Sequence, residues 1–119
     1  MKNHQDWLHK LKISWEMKDY DVLASILDDS VEYHESPFLP PFTTRQQVID
    51  EWKTGLMKQK DIRVESDILR EDGDECFAHW TASFMREEKQ INLDGIYHFR
   101  LNSENKCTYF KMWWVSNDV

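Results

Sequence analysis

The first half of the chain has the hydrophobic spacing of α-helices. Near the N-terminus, apolar residues recur every three or four positions, at Trp7, Leu8, Leu11 and Trp15. This spacing predicts an amphipathic helix, whose buried stripe extends to Met17. A second, shorter helix is predicted over residues 20–27, and the polar turn signal of residues 28–30 ends it.

A third helix is predicted over residues 45–58, beyond a proline-rich loop. Thr43 or Thr44 supplies the N-cap, because a threonine hydroxyl can accept a hydrogen bond from a free backbone N–H of the first turn. The expected buried residues of this helix are Val48, Ile49, Trp52, Leu56 and Met57.

Strand patterns surround that helix and fill the second half of the chain. Residues 31–36 are predicted to form a strand that ends at Pro37, which has no backbone donor. Alternating segments follow at residues 62–69, 76–85, 91–101 and 107–115, with short polar turns between them. Consecutive strands joined by short turns form an antiparallel meander. We therefore expect an α+β fold, with the helices packed on one face of the sheet.

Length and charge limit the classes of function. A chain of 119 residues is long enough for one core, and we expect a single domain over residues 1–119. Its formal net charge of −7 argues against nucleic-acid binding, which requires clustered basic residues. No apolar run is long enough to span a membrane, and the start lacks the apolar region of a secretory signal. We expect a cytoplasmic protein with two free, buried thiols, Cys76 and Cys107.

Three segments together resemble a known family. They are the paired N-terminal helices, the loop from Ser36 to Pro41 that leads into TRQQVI, and the closing hairpin LDGIYHFRLNSENKCTYFKMWW. In their order and turn positions they are similar to the nuclear transport factor 2-like superfamily, in its SnoaL-like branch, which includes ketosteroid isomerase and scytalone dehydratase. The resemblance covers nearly the whole chain.

The resemblance implies a cone, the cystatin-like α+β roll, in which three helices from the N-terminal half wrap a strongly bent antiparallel sheet. It also implies a largely apolar cavity at the open end. The chain holds six tryptophans, six phenylalanines and four tyrosines, more than so small a core requires. The rings and apolar side chains expected to bind a small apolar molecule there are Trp15, Tyr33, Phe38, Trp52, Trp80, Phe99, Phe110, Met112 and Trp114.

Alternation along the closing hairpin separates two faces. Tyr97 and Phe99 share one face, and His98 and Arg100 share the other. The resemblance places Tyr97 where ketosteroid isomerase has a hydrogen-bond-donating acid, so its hydroxyl is a candidate donor to an oxyanion. The alternative is a structural role as an ordinary core tyrosine.

The base is expected on the strand before Pro37. Ketosteroid isomerase has its catalytic aspartate immediately before a proline, and Ser36 occupies that position here, where it cannot act as a base. Glu35 is the first candidate because it continues the inward row of Val31 and Tyr33. A carboxylate against aromatic walls has a raised pKa, which suits proton abstraction. His34 is the alternative if the strand register is shifted by one residue.

No cofactor or metal site is predicted. The five histidines lack paired helical spacing, and nothing nominates the three fixed ligands that catalytic zinc requires. The last strand is apolar on both faces, so its outer face is expected to form a homodimer, as is common in this superfamily.

Three functions remain open. The first is a lyase or isomerase that acts on a small apolar molecule, with Glu35 or His34 as base and Tyr97 or Trp15 as donor. The second is a non-catalytic ligand-binding domain with the same cavity. The third is a dimeric protein-interaction module.

Overall fold

A computed structural model describes residues 2–117 of the chain. Three helices, α1 (His4–Glu16), α2 (Tyr20–Ser25) and α3 (Arg45–Leu56), are accompanied by strand β1 (Leu27–His34), which precedes α3. Four long strands complete the fold: β2 (Gln59–Asp72), β3 (Glu75–Arg86), β4 (Lys89–Leu101) and β5 (Cys107–Ser116). The order of elements is the predicted one. No helix in residues 2–117 is both long enough and apolar enough to cross a membrane.

The five strands form one curved sheet in the order β1-β5-β4-β3-β2. Strands β2 to β5 are an antiparallel meander, as predicted, whereas β1 joins the edge of β5 in parallel. The parallel pairing is possible because α3 and three long strands separate β1 from β5 along the chain. The helices cover the concave face, and the fold is the nuclear transport factor 2-like cone.

Local hydrogen bonds define where the helices begin. The Asn3 side chain accepts a hydrogen bond from the backbone N–H of Asp6 at the start of α1. At α3, Thr44 and Gln47 form a reciprocal capping box, in which each side chain accepts a hydrogen bond from the other residue's backbone. The N-cap of α3 is therefore Thr44, one of the two residues predicted for this position.

Aromatic stacking joins the helices to the sheet. The Trp7 ring of α1 stacks on Phe99 of β4 with ring centroids 4.5 Å apart, and its indole N–H donates to the Ile26 carbonyl at 2.8 Å. On the sheet itself, Tyr33 stacks on Phe110 at 4.7 Å, and Trp80 stacks on Tyr97 at 4.9 Å. These rings belong to one continuous hydrophobic core that joins the helices to the sheet.

The boundary between α2 and β1 differs from the prediction. Helix α2 ends at Ser25, and residues 28–30 lie inside β1 instead of in a turn. The Asp28 carboxylate accepts hydrogen bonds from the backbone and side chain of Ser30, and the pairing register with β5 shifts in this region. The polar cluster therefore forms an irregularity within a strand, which is why it resembled a turn in the sequence.

Two methionines were assigned to the buried stripes incorrectly. Met17 is 72% exposed and Met57 is 73% exposed, because each is the C-cap residue at which its helix ends. Helix α3 accordingly stops at Leu56 and does not continue to residue 58.

Candidate functional site

A cavity lies between the concave face of the sheet and helices α1 and α3. We call it the inner cavity, and it contains about 470 Å³ of empty space, part of it open to solvent. Its wall is mostly aromatic and apolar, with two carboxylates and one amide. The lining residues are Leu11, Trp15, Tyr33, Glu35, Glu51, Trp52, Gly55, Leu56, Gln59, Tyr97, Phe110 and Met112.

A second depression adjoins the inner cavity. We call it the outer groove, and it contains about 900 Å³ of empty space including open solvent. The two share Trp15, Glu35, Gly55, Gln59 and Met112. The other residues of the outer groove are Trp80, Phe84, Arg86, Ile91, Leu93, Trp114 and Ser116.

Glu35 lies at the junction of the inner cavity and the outer groove. It follows the last residue of β1, so its side chain continues the inward row of Val31 and Tyr33. Burial raises the pKa of the Glu35 carboxyl, and the nearby charge of Glu51 raises it further. The Glu35 carbonyl accepts a hydrogen bond from the Trp114 indole at 3.2 Å, which ties this segment to β5. The site thus holds a carboxyl group whose pKa is raised above the ordinary glutamate value by its surroundings.

Tyr97 brings a hydroxyl group to the wall of the inner cavity. The residue is 1% exposed, and burial raises its pKa well above the ordinary value for tyrosine. Within residues 2–117 its hydroxyl has no hydrogen-bond partner. Buried polar atoms are nearly always paired, so this hydroxyl is available to a molecule in the cavity.

Two hydrogen bonds hold the tryptophans of the wall in place. The Trp52 indole donates to the Tyr33 hydroxyl at 3.0 Å, and the Trp15 indole donates to the Gln59 amide oxygen at 2.9 Å. The Trp15 ring also packs against Trp52 and Trp80 with centroids 6.0 and 5.7 Å away. These contacts arrange the rings before any ligand is present.

Five other predicted site residues lie outside the inner cavity. His34 faces the convex side of the sheet, where it forms a hydrogen bond with Glu32 at 2.6 Å. Phe38 is 96% exposed in the proline-rich loop, and Phe99 is fully buried under Trp7. Trp80 and Trp114 line the outer groove instead of the inner cavity.

Glu51 and Gln59 belong to the site but were not predicted. Glu51 lies on α3 beside Trp52, which the helical spacing does place in the core, and Gln59 is the first residue of β2. The only sequence signal for Glu51 was this proximity to a buried tryptophan. It did not reveal which way the glutamate faces.

The convex face of the sheet has ionisable pairs of its own. His79 forms a hydrogen bond with Asp94 at 2.8 Å, and His98 does so with Glu75 at 2.9 Å. His79 therefore lies opposite the inner row that contains Trp80. Within the described part of the chain, no group of three or more histidine, cysteine, aspartate or glutamate side chains is arranged to hold a metal ion.

A family model for the SnoaL-like domain matches residues 11–110. The chain belongs to the SnoaL-like domain family. The match spans both the cavity wall and the sheet, in agreement with the resemblance seen in the sequence. Comparison with curated proteins gives no match.

Solved structures show the same fold at low sequence identity. The epoxide hydrolase/cyclase-like enzyme SalBIII, which has a role in pyran ring formation in the polyether salinomycin, is 11% identical with a TM-score of 0.80, covering 97% of this chain and 95% of its own. An LEH-like epoxide hydrolase from M. tuberculosis is 12% identical with a TM-score of 0.73, covering 92% and 80%. An NTF2-like protein of unknown function from Exiguobacterium sp. 255-15 is 17% identical with a TM-score of 0.73, covering 95% and 99%. These likenesses establish the fold of this SnoaL-like protein.

Replacing Tyr97 by phenylalanine tests whether its hydroxyl is reserved for a ligand. In the ligand-free protein the substitution removes an unpaired buried polar atom, so we expect no loss of stability or a gain of up to about 1 kcal/mol. The matched substitution Tyr33→Phe leaves the Trp52 indole N–H without its acceptor. We expect it to lower the free energy of unfolding by about 1 kcal/mol or more. Urea unfolding of both variants measures the difference. A larger loss for Tyr97→Phe than for Tyr33→Phe would show that the Tyr97 hydroxyl already has a structural partner.

Proposed function

We propose that this SnoaL-like protein binds a small, largely apolar organic molecule in the inner cavity and that Glu35 transfers a proton to or from it. The reaction class is that of a lyase or isomerase. Tyr97 donates a hydrogen bond to the oxygen or nitrogen on which charge develops.

The observation that carries the proposal is a half-buried carboxyl group inside an aromatic cavity. The pKa of Glu35 is raised mainly by burial, and general acid–base catalysts are most efficient when their pKa lies near the working pH. A site that only binds an apolar ligand has no need of a carboxyl group at this position. The hydroxyl of Tyr97, which has no hydrogen-bond partner within residues 2–117, supplies a second polar group in the wall of the same cavity.

His34 is not retained as the base in this proposal. Its ring is bonded to Glu32 and packs against Tyr109 on the convex face, so the sheet separates it from the inner cavity. The two epoxide-processing enzymes with the same fold support an enzymatic use of such a cavity, although at 11% and 12% identity they carry no assignment of reaction.

A cavity-blocking substitution tests the proposal without removing any polar group. Gly55 lies on the exposed side of α3 and lines the inner cavity, and a Cβ atom there would meet nothing within 4 Å. Gly55→Leu should therefore fold at least as well as the wild type, because leucine is about 0.8 kcal/mol more favourable than glycine in a helix. Its side chain would cover the cavity entrance, so binding of the neutral fluorophore N-phenyl-1-naphthylamine should fall at least about tenfold.

The control for this experiment is Thr54→Leu. Thr54 precedes Gly55 on the same exposed helix surface but does not line the cavity. The variant adds a similar apolar side chain and should bind the fluorophore as the wild type does. Equal binding by all three proteins would mean that the fluorophore occupies another surface and would count against the inner cavity as the ligand site.

We also propose that the convex face of the sheet pairs with a second copy of the chain. Partly exposed rings run across this face, with Phe77 stacked on His98 at 4.3 Å and Tyr109 within 5.3 Å of His98. Trp113 and Val115 extend the surface and are 39% and 71% exposed. These partly exposed rings alternate with the hydrogen-bonded pairs His79–Asp94 and His98–Glu75, and such a mixed surface is typical of protein–protein interfaces.

Sedimentation equilibrium at micromolar concentration tests this pairing. The expected mass is that of a dimer, and Trp113→Lys should shift the protein towards the monomer because it replaces an apolar ring on this face by a charge. Met17→Lys, a substitution at an exposed methionine on the helical side, is the control and should leave the mass unchanged. A wild-type protein with the mass of a monomer would contradict the proposal.

A further inference from the structure

We propose that the natural ligand of the inner cavity carries a protonated amine next to an apolar body. The inference rests on the proposed function, because it names the class of molecule that the same cavity binds. It follows from three features of the cavity wall: its charges, its rings and its unpaired hydroxyl.

The charges of the inner cavity are of one sign. Glu35 and Glu51 both line it, and Glu51 is close enough for its charge to act on Glu35. Among the described residues of this wall there is no lysine, arginine or histidine. Two carboxylates that share an apolar space without a cation repel each other, and a bound cation removes that repulsion.

The neutral part of the wall suits a cation as well. Trp15 and Trp52 line the same space as the two carboxylates. The face of an aromatic ring carries partial negative charge and attracts an ammonium group, most strongly where water is excluded. Rings and carboxylates together make a binding site for a hydrophobic cation, whereas rings alone would suit any apolar ligand.

The hydroxyl of Tyr97 indicates a nitrogen that carries hydrogen. It is buried and unpartnered within residues 2–117, and it belongs to the same wall. A hydroxyl group both donates and accepts, so its oxygen can accept a hydrogen bond from an N–H of a protonated primary or secondary amine while its own hydrogen keeps the donor role proposed above. A quaternary ammonium ion has no such hydrogen and would leave this hydroxyl unpaired.

The position of Glu51 orients the ligand. Glu51 lines only the inner cavity, and Glu35 lies where the inner cavity meets the outer groove. A cationic group is therefore favoured at the inner end, and the apolar body extends through the outer groove past Phe84, Ile91 and Leu93. The ligand is thus an amphiphilic amine with the nitrogen bound innermost.

Three probes of the same shape and different charge test the inference. Benzylamine is a cation at neutral pH, benzyl alcohol is neutral and phenylacetate is an anion. Binding is followed by NMR titration of the Leu11, Leu56 and Met112 methyl groups, which line the inner cavity. We expect benzylamine to bind at least about tenfold more tightly than benzyl alcohol, and phenylacetate to bind more weakly than both.

Charge-removing variants identify the source of this preference. Glu51→Gln and Glu35→Gln should each reduce the ratio of benzylamine to benzyl alcohol affinity by at least about threefold. The dispersed methyl NMR spectrum of each variant, recorded before the titration, shows that it is folded. Glu104→Gln removes the same charge from an exposed turn and should leave the ratio unchanged.

The outcomes separate this inference from the proposed function. If benzyl alcohol or phenylacetate binds at the inner-cavity methyl groups as tightly as benzylamine, the amine assignment is wrong and the cavity remains a ligand site. A preference for benzylamine that survives in both glutamine variants also overturns it. If none of the three probes shifts these methyl signals at millimolar concentration, the proposed function fails together with the inference.

Discussion

The structure depends on aromatic rings stacked between and along the elements of the cone. Trp7 stacks on Phe99 between α1 and the sheet, and Tyr33 on Phe110 and Trp80 on Tyr97 continue the packing across the strands. Large rings bury much apolar area. Trp15, Tyr33, Tyr97 and Phe110 belong both to this core and to the wall of the inner cavity. Stability and ligand binding are therefore properties of the same side chains.

That packing determines the electrostatics of the site. Glu35 is held where β1 leaves the sheet, with its carbonyl bonded to Trp114 and its carboxyl beside the ring-lined space. Burial favours the protonated carboxyl, so its pKa is raised. The folded protein therefore binds the Glu35 proton more tightly than the unfolded chain does. Glu35 contributes fully to the free energy of unfolding when the pH is below its pKa in the unfolded chain, and this contribution is lost as the pH rises through its pKa in the folded protein. A bound ligand that neutralises the negative charge of Glu35 would restore the stability that is lost at high pH.

The alternation of the strands was sufficient to predict which hairpin residues face inward. Tyr97 and Phe110 lie on the concave side and His98 and Tyr109 on the convex side because side chains alternate along the regularly paired part of these two strands. The prediction that Glu35 continues the row of Tyr33 follows the same rule. Alternation could not place Phe38, because a loop has no regular period. It could not place Glu51 either, because the direction of a residue on a helix surface depends on how α3 lies over the sheet. The irregularity at residues 28–30 was misread since a polar bulge and a turn share the same residue types.

The central claim is that the inner cavity holds a carboxyl group whose proton affinity is raised by its surroundings. A ¹³C NMR titration of the glutamate side-chain carboxyl groups, with Glu35 assigned by its loss in Glu35→Gln, measures this most directly. We expect the pKa of Glu35 to lie above the ordinary glutamate value and to fall in Glu51→Gln, which removes the neighbouring charge. A Glu35 pKa at or below the ordinary value would contradict the account.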